Sequence, residues 1–386
     1  MSIVNVDLLS LATNPLYFNT LAATNISQPA ISLLAYDASF NQSVVFPNAT
    51  AKLLSDNAWE AFHEGGVYDA SQNALYVSSN YASLEDNINM TVIYFNNDYS
   101  LKNITSTQFP GLYEANGGTS YYPPGSDISS PPSNQLWCDE GDFQQYSALI
   151  SINPASNTSN VVNNNYLGNR NYSSVNDARQ HPITGDIWFT DAAYGYFQNF
   201  RPVPTIPQQV YRFEPATGNL QVVATDFDQP NGLEFSPDLK TLYVSDTGAQ
   251  HFTANTTRPA TIYAFNISSD HRTLSNRRTF AYADTGFPDG IHADMSGNVW
   301  AGCGDGVHVW NSEGTLLGKV FLGETSNNFA FGPDLGGGQG YIMWVFSNSR
   351  LWEVRGLRVE GREVCKDWSG LASCGIQGAS APGGRK

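Results

Sequence analysis

The sequence contains no run of about 18 apolar residues, so no segment is predicted to cross a membrane as a helix. Basic residues are also scarce, because 19 Lys and Arg face 35 Asp and Glu and give a formal net charge of −16. A chain this acidic repels phosphate backbones and acidic lipid surfaces. We therefore expect a small-molecule partner, with neither nucleic acid nor a membrane involved.

Cysteine is scarce as well, with four residues in the chain and none at the short paired spacing of zinc sites. Cys365 and Cys374 are close enough in sequence to form a disulfide, which leaves Cys138 and Cys303 as a long-range pair or as free buried thiols. Four cysteines allow three pairings, and the sequence does not choose among them. A cysteine-based zinc site is not expected.

The first residues lack the charged segment and apolar run of a signal peptide. Nine N-x-S/T sequons nevertheless favour passage through the secretory pathway. Their asparagines are Asn25, Asn41, Asn48, Asn89, Asn103, Asn157, Asn171, Asn255 and Asn266. We therefore expect a secreted protein with N-linked glycans, from which a leader has been removed.

Long helix-forming stretches are few, whereas Gly (34 residues), Pro (20 residues) and aromatic residues (13 %) are plentiful. The segment 227–248 has two short apolar runs separated by a polar turn, which is typical of a β-hairpin. Three further segments repeat this pattern and begin at Glu64, Asn176 and Asp289. The corresponding residue in the segment 227–248 is Asn231. The chain is therefore predicted to be all-β and built from repeats.

The repeats are spaced as propeller blades are. Asn176 and Asn231 are 55 residues apart, and Asn231 and Asp289 are 58 apart. The longer gap between Glu64 and Asn176 leaves room for another unit near Asn116, and a sixth unit starts near Asn328. Units of four short strands at this period predict a six-bladed β-propeller around a central channel.

We assign the propeller to residues 31–360. Residues 1–30 form an N-terminal extension, and residues 361–386 form a C-terminal segment that we expect to be partly disordered.

The four hairpins each begin with an oxygen-bearing side chain. The innermost strands of a propeller line its channel, so residues at one register position form a ring. Two carboxylates and two carboxamides are hard ligands that suit one Ca²⁺. Asn-Gly and Asp-Gly are also ordinary turn pairs, but Glu is not favoured in that position of a turn. The predicted calcium ligands are Glu64, Asn176, Asn231 and Asp289.

The sequence motifs around these residues carry a family likeness. They are the segments 62–68, 175–178, 186–196, 229–233 and 287–292, together with 200–204 and 301–311. They resemble the SMP-30/gluconolactonase family of six-bladed propellers, and within it the secreted fungal lactonohydrolases. The resemblance implies that the four residues bind calcium, that Asp289 has the acid/base or nucleophilic role, and that Asn116 faces the channel.

The expected chemistry is hydrolysis of a lactone whose carbonyl is polarised by Ca²⁺. Asp289 is our choice of general base and Glu64 the alternative. Candidate substrate contacts are Asn116, Tyr194, His63 and His292. Strict strand alternation would turn both histidines away from their neighbouring ligands, which favours packing roles for them. A Ser-His-Asp triad is not supported, since no G-x-S-x-G motif is present.

Three functions remain open at this point. The first is a secreted calcium-dependent lactonase acting on a small sugar-like or hydroxy-acid lactone. The second is a propeller repurposed in secondary metabolism, which binds an apolar polyketide or terpenoid and guides its cyclisation, because fold alone does not fix function. Its apolar mouth would be lined by Trp59, Tyr81, Tyr194 and Phe197. The third is a non-catalytic glycoprotein whose blades are pinned by calcium.

Overall fold

The structure is a computed structural model that describes residues 3–25, 31–83, 85–168 and 170–364. Its strands form six sheets, four of which contain four consecutive strands. These sheets are the blades of a propeller, so the predicted all-β, six-bladed architecture is confirmed.

The chain first forms short elements that pack on the outside of the ring. These are β1 (Val4–Asn5), α1 (Leu8–Thr13), α2 (Tyr17–Asn25), β2 (Ser32–Ala35), a π-helical turn (Phe40–Val44) and β3 (Val45–Asp56). β1 pairs in parallel with β2, and α1 and α2 form the connection between these two strands.

The first four blades each run from the channel outward through four antiparallel strands. The first contains β4 (Glu64–Asp69), β5 (Ala74–Ser78), β6 (Met90–Phe95) and β7 (Leu101–Thr107). The second contains β8 (Ala115–Tyr121), β9 (Asn134–Asp139), β10 (Ala148–Asn153) and β11 (Thr158–Asn163). The third contains β12 (Ser174–Gln180), β13 (Ile187–Ala192), the short helix α3 (Tyr194–Phe197), β14 (Gln209–Glu214) and β15 (Asn219–Ala224). The fourth contains β16 (Pro230–Phe235), β17 (Thr241–Asp246), β18 (Thr261–Ile267) and β19 (Leu274–Tyr282).

The last two blades also include strands from the beginning of the chain, which extend the fifth and complete the sixth. The fifth contains β20 (Ile291–Ala293), β21 (Val299–Cys303), β22 (Gly306–Trp310) and β23 (Leu316–Phe321), and β2 pairs with β23 at its outer edge. The sixth contains β24 (Asn328–Asp334), β25 (Tyr341–Ser347) and β26 (Arg350–Leu357), with β3 as its outermost strand. Pairing of β3 with β26 closes the ring.

The second strand of every blade carries an aromatic side chain between two apolar residues. These side chains are Tyr76, Trp137, Trp188, Tyr243, Trp300 and Trp344, and all are buried. Large rings at one register position fill the space between neighbouring blades, where they bury much apolar area. The apolar triplets in the sequence are therefore the packing layer of the ring.

An aspartate at the end of the second strand ties down the chain that enters the inner strand. Asp191 accepts hydrogen bonds from the backbone amides of residues 173 and 174, and Asp246 accepts them from those of residues 228 and 229. Asp139 does the same for residues 113 and 114 in the second blade. Asp191 and Asp246 therefore fix the start of the inner strand within their own blades.

The inner strands approach one another closely and are bulged near the channel mouth. Register shifts occur at 65/67, 115/118, 175/178 and 230/233. A Cβ atom on Gly232 would lie 2.5 Å from the carbonyl oxygen of Asp289, and one on Gly290 would lie 2.3 Å from Cγ of Asn328. Bulges re-aim side chains relative to plain alternation. The glycines after the ring residues are therefore required by the neighbouring inner strand.

Cys138 and Cys303 are free and fully buried, so the alternative of a pair between them is wrong. The suggested Cys365–Cys374 disulfide lies outside the described residues, as does most of the C-terminal segment for which we predicted disorder. Among the helices described, none is long and apolar enough to cross a membrane.

Candidate metal and catalytic site

The four predicted ligands meet at one end of the channel. Glu64, Asn176, Asn231 and Asp289 all line a cavity of about 350 Å³. The other lining residues are His63, Asn80, Asn116, Tyr194, Gln198, Gln250, Phe287, Thr325, Asn327 and Asn348. Phe287 is the one purely apolar side chain in this lining, so the cavity suits a polar molecule.

The Asp289 carboxylate is held by two carboxamides. Asn231 Nδ2 donates to Oδ1, and Asn327 Nδ2 donates to Oδ2 over 3.2 Å. The same Asn231 amide lies 3.1 Å from the Tyr194 hydroxyl. These contacts fix the orientation of the Asp289 carboxylate at the cavity wall.

Glu64 is held from beneath the cavity by a residue that we did not single out for the site. Asn328 Nδ2 donates to Glu64 Oε2 over 2.7 Å, and the amide of Gly65 lies 3.4 Å from the same oxygen. The carboxylate is buried. The protein therefore holds Glu64 through its Oε2 atom.

The electrostatics of the cavity favour an added positive charge. Burial, followed by repulsion from Asp289, raises the pKa of Glu64 well above its ordinary value. Burial also raises the pKa of Asp289, although His63 and the two carboxamides oppose the shift. Two ionised carboxylates this close are stable together only with a cation between them.

The donor atoms fit Ca²⁺. Asn176 Oδ1 is buried and has no hydrogen-bond partner within the described parts of the chain, and the same holds for Oδ1 of Asn116 and Asn327. Buried polar atoms without partners are rare in native proteins and call for an unplaced water or ion. A set made entirely of carboxylate and carboxamide oxygens matches the preference of Ca²⁺, and it offers no nitrogen or sulfur for zinc.

The other candidate contacts are only partly brought together. Tyr194 and Asn116 line the cavity, and Asn116 Nδ2 donates to Glu140. His63 also lines it, contrary to the expectation from alternation, because it precedes β4 and bonds to Asn348 over 2.9 Å. The structure does not bring the fourth candidate, His292, to the cavity. It is buried beneath Asn328, to which its Nε2 bonds over 2.9 Å, and does not line the cavity.

Several lining residues were missed by sequence reasoning. Asn80, Gln198, Gln250 and Asn348 lie on connections between strands, where no periodic pattern marks them. Asn327 could have been predicted from the sequence, because it directly precedes the inner strand of the sixth blade. Asn231 and Asp289 likewise lie at or just before the start of their own inner strands.

Two other clusters of acidic residues and histidine do not need a metal. Glu234, His292 and Glu363 converge, but Arg179 and Arg362 already form ion pairs with these carboxylates. Asp284, Asp305 and His308 converge around the ammonium group of Lys319, which lies 2.7 and 2.9 Å from the two aspartates. The carboxylates of both clusters therefore already have side-chain cations as partners among the described residues.

Comparison with known proteins agrees with the geometry. Residues 63–337 match the family model described as the SMP-30/gluconolactonase/LRE-like region, and this is more than half of the chain. The chain belongs to this family. The resemblance inferred from the motifs is therefore confirmed.

Within the family, the chain is similar to two enzymes named for lactone hydrolysis. It is 28 % identical to the lactonohydrolase oryL of Aspergillus oryzae over 368 residues, which cover 87 % of this chain and 79 % of oryL. It is also 28 % identical to the gluconolactonase of Zymomonas mobilis over 244 residues, which cover 60 % of this chain and 63 % of that enzyme.

Solved structures of the family share the fold. A gluconolactonase from Xanthomonas campestris superposes with a TM-score of 0.65 at 24 % identity, covering 86 % of this chain and 96 % of that one. A calcium-binding regucalcin from Agrobacterium tumefaciens superposes with a TM-score of 0.53 at 17 % identity, covering 80 % and 95 %.

Proposed function

We propose that the protein is a calcium-dependent lactonase that opens a small, polar lactone at the channel mouth. The observation that carries the proposal is the convergence of Glu64, Asn176, Asn231 and Asp289 in one cavity, with the buried Asn176 oxygen left without a partner. Membership of a family that includes a lactonohydrolase and a gluconolactonase supports the reaction class.

The four ligand side chains would hold one Ca²⁺, which would supply a Lewis acid for the lactone carbonyl. Asp289 is the general base in this proposal, since two carboxamide donors and His63 stabilise its ionised form. It takes a proton from the attacking water and returns it to the alkoxide that leaves when the ring opens. Burial, followed by the charge of Asp289, raises the pKa of Tyr194 well above its ordinary value, so this hydroxyl keeps its proton and can donate to substrate.

The polar lining supports a hydroxylated or carboxylated lactone. Carboxamides of Asn80, Gln198, Gln250 and Asn348 surround the cavity and offer both donors and acceptors. Three of the aromatic residues in the cyclase hypothesis, Trp59, Tyr81 and Phe197, are not part of that lining. The described lining of this cavity therefore favours a polar substrate over an apolar one.

The test is proton release in a pH-stat from a panel of aldonolactones and pantolactone. We expect hydrolysis that stops with EDTA and returns when Ca²⁺ is restored. Asp289→Asn should abolish turnover, whereas Asp334→Asn, an exposed carboxylate on the last blade, should not. A folded sample that binds Ca²⁺ and hydrolyses no lactone would contradict the proposal.

We further propose that the protein is secreted and glycosylated. Eight of the nine sequon asparagines have described side chains, and all eight are at least partly exposed. Secretion from a eukaryotic host followed by peptide N-glycosidase treatment should lower the apparent mass. If the secreted protein kept its apparent mass after this treatment, the proposal that the sequons carry N-linked glycans would be contradicted.

A further inference from the structure

The central channel contains a second group of ionic side chains, deeper than the cavity. Asp177, Arg179, Glu234, His292, Arg362 and Glu363 form it. Arg179, Glu234 and His292 each follow a ring residue by three positions, which places them about 10 Å further along the inner strands. This depth separates these three residues from the metal site, whereas Asp177 directly follows the ligand Asn176.

Two members of the group come from the C-terminal segment Glu360–Val364. Gly361 bridges to Asp294, and the backbone amide of Met295 donates to the carbonyl oxygen of Glu360 over 2.8 Å. Because Asp294 and Met295 follow the inner strand of the fifth blade, the segment enters the channel from the end opposite the cavity. The side chains of Arg362 and Glu363 thereby reach the channel interior.

The group is balanced in charge only if His292 carries two ring protons. Asp177, Glu234 and Glu363 are three carboxylates, and Arg179 and Arg362 are two guanidinium groups. Arg179 lies within 3.5 Å of all three carboxylates, and Arg362 pairs with Glu234. An imidazolium at position 292 is the cation that neutralises the remaining charge, as burial of these groups requires.

A continuous chain of contacts joins this group to the metal site. Glu363 Oε1 lies 2.9 Å from His292 Nδ1, and His292 Nε2 lies 2.9 Å from Asn328 Oδ1. Asn328 Nδ2 then donates to Glu64 Oε2 over 2.7 Å. Three contacts therefore connect the C-terminal segment with a predicted calcium ligand.

The contact between Asn328 and Glu64 sets the direction of the hydrogen bond between His292 and Asn328, and the contact between Glu363 and His292 is an ion pair. Asn328 must present its NH₂ group to the Glu64 carboxylate, so its oxygen faces His292 and also accepts from the backbone amide of Phe329 over 2.8 Å. His292 Nε2 must then carry a proton, and Nδ1 must carry one to face Glu363. If Nε2 were bare, Asn328 Oδ1 would face a lone pair and would keep only the Phe329 amide as a donor. If Nδ1 were bare, the contact with Glu363 would lose its proton.

We propose that Glu363 and His292 are positioning residues of the metal site, in which the C-terminal segment orients Asn328 and Asn328 holds Glu64 for the cation. The inference rests on the proposed function in one respect, namely that Glu64 is a calcium ligand. Burial lowers the pKa of His292, but Glu363 outweighs this and raises it above its ordinary value, with a further contribution from Glu234 against opposition from Arg179. The protonation state required by the geometry is thus the one that the surrounding charges favour.

The test uses the full-length protein with Glu363→Gln, His292→Gln and a control, Glu353→Gln. Glu353 is a buried carboxylate paired with Arg355 on β26 and is not part of the channel group. Calorimetric titration with CaCl₂ should give a dissociation constant about tenfold higher for both channel variants, as is usual when a residue behind a metal ligand is lost. The control should bind as the wild type does. Saturating Ca²⁺ should restore lactone turnover to Glu363→Gln, because no group that touches substrate has changed.

A second measurement keeps the inference independent of the activity. Nitrogen-15 NMR of histidine-labelled protein should show both ring nitrogens of His292 protonated in the wild type at pH 8 and one of them bare in Glu363→Gln. A bare Nε2 in the wild type, or unchanged calcium affinity in both channel variants, would overturn the inference. A wild type that binds no Ca²⁺ and opens no lactone would instead overturn the proposed function, while the NMR result would still decide the contact chain.

Discussion

Replacing Gly290 by alanine should damage the site through a single steric conflict. The added Cβ would lie 2.3 Å from Cγ and 2.4 Å from both terminal atoms of Asn328. An ordinary contact begins at 3.4 Å, so the overlap is 1.1 Å (3.4 − 2.3). The backbone of Gly290 is not in the left-handed region, which means that backbone strain does not contribute.

The magnitude follows from two terms. Overpacking of this kind costs about 1–3 kcal/mol, and loss of the Asn328–Glu64 hydrogen bond leaves buried polar groups unpaired, which costs about 1–3 kcal/mol. We therefore expect Gly290→Ala to lower the free energy of unfolding by about 2–6 kcal/mol. Measurement by urea denaturation in EDTA excludes any contribution from bound metal.

The double variant Gly290→Ala/Asn328→Ala separates the clash from other effects. Asn328→Ala removes the three atoms nearest to the new methyl group, so the double variant should be no less stable than Asn328→Ala alone. Two results would refute the reasoning. One is a Gly290→Ala protein within about 0.5 kcal/mol of the wild type, and the other is a double variant whose loss equals the sum of the two single losses.

Three further predictions concern the scaffold. Asp246→Ala leaves the amides of residues 228, 229 and 248 without their acceptor and should destabilise the fold by about 2–4 kcal/mol; an unchanged urea midpoint would contradict this. Burial raises the pKa of Glu114 to about 8, so the unfolded chain releases this proton at lower pH than the folded one, and stability should fall as the pH rises from about 5 to about 8. The melting temperature of Glu114→Gln should lack this part of the slope, and parallel curves would exclude the effect. Cys138 and Cys303 should react with iodoacetamide only after unfolding, as mapped by peptide mass; labelling of the native protein would show that either thiol is accessible.

The sequence was sufficient for the fold because each blade repeats the same physical requirement. Three features recur at blade spacing: an apolar triplet around an aromatic residue, a polar turn and an oxygen-bearing residue. The triplet lies on the second strand of the blade, and the oxygen-bearing residue lies at the start of the inner strand. The ring of Glu64, Asn176, Asn231 and Asp289 was predictable for the same reason, since residues in register around an axis must converge.

The rest of the site was not predictable from periodicity. His63 was expected to point away from Glu64, but it lies before the strand and strand alternation does not apply to it. His292 was a candidate substrate contact for which strand alternation favoured a packing role, but the sequence did not reveal its partner Glu363, which is 71 residues away (363 − 292). Contacts of this range depend on how the C-terminal segment enters the channel, and no local pattern records that.

Closure of the ring by β3 also constrains how the protein can be made. The paired side chains of Asp56 and Arg350 are 294 residues apart. At a synthesis rate of about 5–20 residues per second, β3 waits on the order of 15–60 s for the strand that covers its edge. An uncovered edge is a template for pairing with other chains. Chaperone engagement during translation should therefore be concentrated on nascent chains that carry β3 but have not yet produced β26.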